Sequence, residues 1–413
     1  MEMTHAVPVG YDLRPAYYDK FQCLAGDCRL TCCKGWRITF DKKDFMSMKQ
    51  QTGSPEFNSR MSGALRRIRN GAFHENGYYG EIHLKGDGSC PLQCENGLCI
   101  LQLEKGHTAL PQVCRGFPRI EIPFLSGFLE KSLGPACEGV LALLWDLPEG
   151  VDFYSDPLPQ SKVLRVPTKQ FGPLAPHFQE IRSQCIDFLQ DRRFSLPQRI
   201  LLMGLALKSL ADGETDLSRW TADVQLLLEQ AVSKGVSLGE ENDQSLMMFL
   251  SHHVRHLPLL PQKYDDFAAV PQELLEALII GGTSEHGAAR VEVSTIPYLD
   301  ARDRYQERFG GRDYFMENLM VSIFFHLHFP VVDSPEGLWK SYVNFCNLYS
   351  TYRFLAVMSC REGAAGDRDE LFRLMVFASR KLIHDGVLQN AVRDEFFTNS
   401  SATLAHMSIL LSG

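Results

Sequence analysis

Beyond residue 177 the chain repeats apolar residues at three- and four-residue spacing almost to its end. That period places one apolar stripe along a helix face. It predicts helices over His177–Arg192, Leu196–Leu210, Leu217–Ser233, Ser245–His256 and Pro271–Ile280. A longer stretch from Tyr298 to Phe329 is expected to break at Gly310-Gly311, and Leu338–Cys360, Asp367–His384 and Ala391–Leu411 complete the set. No internal repeat of convincing period is visible.

Residues 10–145 read differently. The segment is rich in loops and glycine, with short strand-like runs. Trp36–Phe40 alternates as a strand does. Asp41 then reads as an N-cap, with Asp44 adding negative charge to the first turn of a helix reaching about Gln51. Arg60–Asn70 is expected to be a second short helix closed by Gly71, with Arg66, Arg67 and Arg69 on its solvated face. Ile120–Phe124 and Phe128–Leu133 flank Leu125-Ser126-Gly127 as the arms of a hairpin. Between the two regions Pro148, Pro157, Pro159, Pro167, Pro173 and Pro176 disfavour any long helix. The expected fold class is α+β, mostly α: an N-terminal cysteine-rich irregular part (1–147) packed, across a Pro-rich connector (148–176), on a C-terminal helical part (177–413).

Composition narrows the function classes. The 413 residues are 45% hydrophobic and 22% charged, so the chain can bury a core and is not disordered. A net charge of -8 argues against a general nucleic-acid binder, which needs a basic face. The acidic excess lies beyond residue 140, where 25 Lys and Arg face 35 Asp and Glu, and reads as a soluble helical surface. The longest apolar stretch, Met320–Phe329, holds two histidines and falls short of the roughly 20 residues that a membrane span needs. Residues 1–15 show no basic segment followed by an apolar one, so the expected compartment is the cytoplasm.

The cysteines carry the chemistry. Nine of the twelve lie in the first third of the chain. In a reducing compartment, clustered cysteines mean metal or redox chemistry more often than disulfides. One cluster is Cys23-x4-Cys28-x3-Cys32-Cys33; the next is Cys90-Pro91-x2-Cys94-x4-Cys99; Cys114 and Cys137 follow singly. Thiolates suit soft or borderline metals, and iron–sulfur clusters above all. The 56 residues between Cys33 and Cys90 exceed the usual separation of zinc knuckles, which favours iron–sulfur while leaving zinc open. Cys185, Cys346 and Cys360 sit in apolar helical patterns and are expected to pack as small hydrophobes.

Phe21-x-Cys23-x4-Cys28-x3-Cys32-Cys33-x-Gly35-Trp36, followed by Ile38 and Asp41, resembles the opening of the bacterial flagellin lysine-N-methylase family. Cys90-Pro91-Leu92, Gly97-Leu98-Cys99-Ile100, Gly106, Leu110 and Cys114-x2-Phe117-Pro118-Arg119 resemble its second block, and Glu130-x-Ser132-Leu133 with Cys137-Glu138 its third. The first two blocks are shared with a broader group of zinc- or iron-chelating cysteine-rich domains. The resemblance implies methyl transfer from S-adenosylmethionine to lysines of flagellin. It also implies an iron–sulfur cluster, of the 4Fe-4S type with zinc as the alternative. The metal positions it carries over are Cys23, Cys28, Cys32, Cys33, Cys90, Cys99, Cys114 and Cys137, with Cys94 outside that set. The competing reading is a non-enzymatic zinc- or iron–sulfur-binding protein that senses redox state through an interaction surface.

No catalytic or donor-binding residue is legible. Ala277–Thr283 has an apolar run and glycines but no following βαβ pattern, and reads as a helix ending in a glycine cap. Cys90-x3-Cys94-x4-Cys99 misses the spacing of a radical adenosylmethionine site by two residues. His252 and His256 have the i,i+4 spacing of a zinc pair without the accompanying glutamate, so His252, His253 and His256 read as surface or satisfied core histidines, as do His326 and His328.

Overall fold

The computed structural model describes residues 10–123, 128–158, 174–239, 242–259, 267–285, 288–330, 334–383 and 386–413. Its first element is β1 (Asp12–Pro15), followed after the first cysteines by β2 (Thr39–Phe40) and α1 (Lys42–Lys49). The Asp41 carboxylate accepts from the Asp44 amide, the cap expected of it. Next come α2 (Pro55–Met61), β3 (Leu65–Arg67), α3 (Ala72–Glu75) and β4 (Gly80–Ile82).

The helix expected over Arg60–Asn70 is therefore displaced. Ser54 caps α2 and Pro55 opens it, so the helix starts early. Gly63, at φ +79, then turns the chain into a strand. β4 is the centre of a three-stranded sheet, antiparallel to β2 on one side and β3 on the other. The buried Glu81 of β4 pairs with both Arg37 and Arg66. Arg66 thus belongs to a strand pair rather than to a helix face. Of the expected strand Trp36–Phe40, only Thr39 and Phe40 join the ladder.

The N-terminal part ends with α4 (Ile100–Lys105), α5 (Gln112–Gly116), β5 (Arg119–Pro123), β6 (Leu129–Leu133), α6 (Glu138–Trp145) and β7 (Phe153–Tyr154). β5 and β6 pair antiparallel as expected, Arg119 opposite Leu133; the turn assigned to Leu125–Gly127 lies outside the described residues. β6 runs parallel to β1, which pairs antiparallel with β7, giving the order β5-β6-β1-β7. Much of the expected Pro-rich connector, residues 159–173, also lies outside the described residues.

The rest is helical: α7 (Phe178–Gln190), α8 (Leu196–Ala211), α9 (Leu217–Lys234), α10 (Asp243–His256) and α11 (Val270–Leu278). Here the glycine-cap expectation fails. The chain leaves α11 directly into β8 (Ile279–Glu285), which forms a hairpin with β9 (Ala288–Val293), and Gly281 and Gly282 lie within the strand past a register shift. They are neither a helix cap nor a strand-to-helix phosphate loop. α12 (Ile296–Phe309) and α13 (Tyr314–His326) are separated at Gly310–Arg312, as expected. Then follow α14 (Pro335–Met358), α15 (Arg368–Leu382), α16 (Gly386–Thr398) and α17 (Leu404–Ser412). The last two replace one expected helix, since Ser400 takes φ +54 and Thr403 caps a new start.

Two apolar cores result. The larger joins α7–α15 and α17 with Leu13, Tyr17 and Phe21 near β1, and with Val140, Leu141, Leu144 and Trp145 of α6. α13 is buried from Phe315 to His326, which an apolar pattern all around a helix requires. Its one acid, Glu317, is held by Arg192 and Arg199 at 2.9 and 2.6 Å. α8 and α14 approach so closely at Gly204 that a Cβ there would run into the Tyr342 ring. The smaller core gathers Phe40, Phe45, Met48, Phe57, Leu92 and Leu101 between the cysteine loops. Among the described residues no helix is long and apolar enough to cross a membrane.

Candidate functional site

The first cysteine loop is built by backbone hydrogen bonds and one carboxylate. A turn at Ala25–Asp27 separates Cys23 from Cys28. Glu138, the residue after Cys137, then accepts from the backbone amides of Arg29 and Leu30 at 2.8 and 3.0 Å and from the Arg29 guanidinium at 2.7 Å. Burial alone would raise the Glu138 carboxyl; the Arg29 and backbone hydrogen bonds hold it below the usual range. It therefore stays ionised and fastens the loop of Cys28 to the start of α6, where Cys137 sits.

The second loop is laid along the first. The Cys90 amide donates to the Cys33 carbonyl at 2.7 Å and Gly35 to Gly88 at 3.2 Å. Gln93 donates to the Thr31 hydroxyl at 3.0 Å. The loops cross where Gly97, at φ +78, lies against Gly26, and a Cβ on Gly26 would come within 3.1 Å of the Asn96 carbonyl. From α15, Arg380 donates to the carbonyls of Leu30 and Thr31 at 2.8 and 2.9 Å. The helical part thus grips the cysteine loop by its backbone.

These constraints draw the thiols together around Cys32. Cys33 hydrogen-bonds to it, and Cys28, Cys90, Cys99, Cys114 and Cys137 all lie within its electrostatic reach. Cys23 lies within reach of Cys137, and Cys94 within reach of Cys99. Every position of the sequence-derived set is in this group, with Cys94 beside it, and all twelve cysteines are free thiols. Burial pushes Cys28 and Cys90 up to about 12 and Cys137 up to about 11, with neighbouring thiols adding in the same direction. A protonated, crowded sulfur set is one that a bound cation would deprotonate. The donor type fits a thiophilic metal or an iron–sulfur cluster. Among the described residues no three His, Cys, Asp or Glu side chains share a single-ion site. Cys185, Cys346 and Cys360 are buried in the large core, as expected.

The histidines are satisfied, as their pattern suggested. His253 hydrogen-bonds Ser350 at 3.0 Å, and His326 and His328 reach Ser132 and Glu130 at 3.1 and 2.6 Å. Glu130 also pairs with the buried Arg182, so the segment Glu130-x-Ser132 is pinned to the end of α13.

Sequence reasoning missed a chamber of about 470 Å³ between α10, α16 and α17. Its walls are mostly apolar, with Met247, Met248, Phe396, Ile409 and Leu410 among them. Polar groups converge on one side. His256 hydrogen-bonds Glu395 at 2.9 Å and the His252 carbonyl at 2.7 Å, and Arg255 donates to Glu395 at 2.8 Å. The His256 hydrogen bond, with Arg255 behind it, holds Glu395 below the usual carboxylate range. His252 contacts Asn347 at 2.8 Å, and its ring lies 4.4 Å from His256 and 5.4 Å from Phe396. Burial, with His256 alongside, pushes it down to about 4, so it is neutral. The i,i+4 histidine pair was the available signal; Glu395 and Phe396 are some 140 residues away and gave none.

Comparison with known proteins places this geometry in context. The family model of the FliB lysine N-methylase C-terminal domain matches residues 182–410. A lysine-N-methylase of Salmonella typhimurium is 24% identical over 399 residues, covering 91% of this chain and 93% of that protein. One of Salmonella choleraesuis is 25% identical over 400 residues with the same coverage. The flagellar biosynthetic protein FliU of Salmonella muenchen is 30% identical over 145 residues, covering 33% of this chain and 78% of that protein. No solved structure matches.

Proposed function

This chain belongs to the FliB lysine N-methylase family, and we propose that it methylates lysine side chains of flagellin with S-adenosylmethionine as donor, in the cytoplasm, and carries a cysteine-held iron–sulfur cluster. Protein-lysine N-methyltransfer is the activity of the family. The observation that carries the reading is likeness to two proteins named lysine-N-methylase over nine tenths of both chains. The flagellar name of the third relative supports a flagellar substrate, and flagellin is the finer choice.

Adenosylmethionine supplies an electrophilic methyl group on a sulfonium centre. The acceptor must arrive as a free amine, because a lysine ammonium with a pKa near 10.4 has no lone pair to offer. Apolar surroundings at the point of transfer would favour that form by desolvation. The cluster would be held by thiolates drawn from Cys23, Cys28, Cys32, Cys33, Cys90, Cys99, Cys114 and Cys137. A 4Fe-4S cluster takes four cysteines, so this set exceeds one cluster's need. The convergence on Cys32 supports the assignment, and the grip of Arg380 and Glu138 on the same loop suits a structural or regulatory cluster.

The reading is tested in two arms. Labelled adenosylmethionine and flagellin are incubated with the protein, and label is sought on lysine; Cys32→Ser or Cys114→Ser should abolish transfer, and Cys94→Ser should not. No label with wild-type protein would overturn the methylase reading for flagellin. Anaerobically purified protein should be brown, with iron and acid-labile sulfide in near-equal amounts. Colourless protein holding zinc alone would overturn the cluster.

A further inference from the structure

We propose that the chamber between α10, α16 and α17 is the methyl-donor site, taking an adenosyl-sulfonium with its nucleoside against the Met248–Phe396 wall and its charged tail towards Arg255. This rests on the reading that adenosylmethionine is the donor.

Size is the first argument. Small-molecule sites run from roughly 300 to 1,000 Å³. A volume of about 470 Å³ suits a nucleoside with an amino-acid tail, whereas a lysine side chain, four methylenes and an amine, would leave most of it to water. The walls are the second. Met247 and Met248 are 36% and 43% exposed on α10, and with Phe396 they form a polarisable apolar surface on which a flat purine can lie.

The polar side is the third. Glu395 is ionised and accepts one hydrogen bond on each oxygen, from His256 and from Arg255. Each oxygen keeps a further lone pair for a ribose hydroxyl or an amine. Among the described residues Arg255 donates only to Glu395, with one of its five N–H groups. Its side chain is 66% exposed, which leaves the remaining fork open to a carboxylate. The neutral His252 ring adds no positive charge beside a sulfonium. All three helices lie almost wholly within the stretch that the family model covers, residues 182–410.

Adenosylhomocysteine has the body of the donor without its methyl group. It is titrated calorimetrically into the full-length, cluster-loaded protein. Wild-type protein should bind it. Arg255→Ala, which removes the tail's partner, and Met248→Trp, which fills the chamber, should each weaken binding by about tenfold or more. Leu205→Trp, at an apolar residue of similar exposure outside the chamber, should not. Equal binding by all four proteins would overturn the chamber assignment and leave the donor reading standing. No binding by wild-type protein would overturn the donor reading and the assignment with it. Because a variant can fail to fold, wild-type protein is also photolabelled with methyl-labelled adenosylmethionine and its peptides mapped. Label within residues 244–256 or 392–410 is expected, and label confined elsewhere would overturn the assignment.

Discussion

In the helical region α13 buries every residue from Phe315 to His326, and α14 packs beside it with most of its length hidden. The smaller core between the cysteine loops holds twelve buried side chains among the described residues, one of them Cys90. The helices are held by a large continuous core. The cysteine loops are held by amide-to-carbonyl bonds between loops, by glycines where they cross, and by the grip of Glu138 and Arg380. The first arrangement should be stable without a ligand. The second leaves a group of thiols, among which Cys90 alone is fully buried, whose protonation a metal would reverse, so its order should depend on what the thiols bind.

The largest test of this contrast is Glu317→Ala. The substitution leaves Arg199, buried in the helical core, without its carboxylate. Stranding one member of a buried pair costs about 3–5 kcal/mol. Denaturant unfolding should show that loss equally in metal-loaded and metal-free protein. A loss that appears only without metal would mean the helical core is not self-sufficient.

Acid should act next, and again on the helical side. His252 falls from an ordinary 6.5 to about 4 in the folded chain. A depressed histidine contributes stability that is complete above 6.5, because the unfolded chain alone takes up protons below that value, and that is lost as pH falls towards 4. The limit is about 3 kcal/mol from this residue. Unfolding measured from pH 7.5 down to 4 should show the decline, and His252→Gln should make it shallower, leaving the share of His253, which burial also holds well below the ordinary value. An unchanged slope in the variant would assign the acid sensitivity elsewhere.

Arg380→Met tests the joint between the two regions. It leaves the Leu30 and Thr31 carbonyls without their donor, a cost of about 1–3 kcal/mol if both stay buried. The effect should be local. Hydrogen exchange should quicken over residues 21–36 and iron should be lost sooner on chelation, with α13 and α14 still protected. Uniform quickening would argue that loop and bundle unfold as one unit.

The same contrast explains what the sequence made legible. The helices were readable because a 3.6-residue period is a local signal, and the Asp41 cap because its partner is three residues away. The Arg60–Asn70 segment was misread because its strand is defined by β4 and by Glu81, which pairs Arg37 with Arg66 across the sheet. The Gly281-Gly282 run was misread because its partner strand, not its own pattern, decides its state. Thiol clustering was legible from spacing, but its organisation around Cys32, and the roles of Glu138 and Arg380, depend on contacts across 100 residues or more. Of the chamber only the His252–His256 pair left a mark in the sequence, since α10 and α16 meet only in the folded bundle.

The smallest effect compares two helix caps of one kind. Asp216 accepts from the Ser218 and Arg219 amides at the start of α9, and Asp41 from the Asp44 amide at the start of α1. Replacing either by alanine removes one capping acceptor, worth about 1 kcal/mol. The local chemistry is alike, and the surroundings differ. α9 packs Trp220 and Val224 into the large core, so Asp216→Ala should lower global stability by that amount whether or not metal is bound. α1 packs Phe45 and Met48 into the small core beside the cysteine loops. There the free energy of metal binding adds equally to the folding of wild type and variant, so Asp41→Ala should visibly lower the ordered fraction of a marginally stable metal-free region and barely change it once the thiols are loaded. The measurement is the ordered population of residues 42–49 by NMR, with and without metal. An ordered fraction untouched by the substitution in metal-free protein would show that the cysteine region folds on its own core after all.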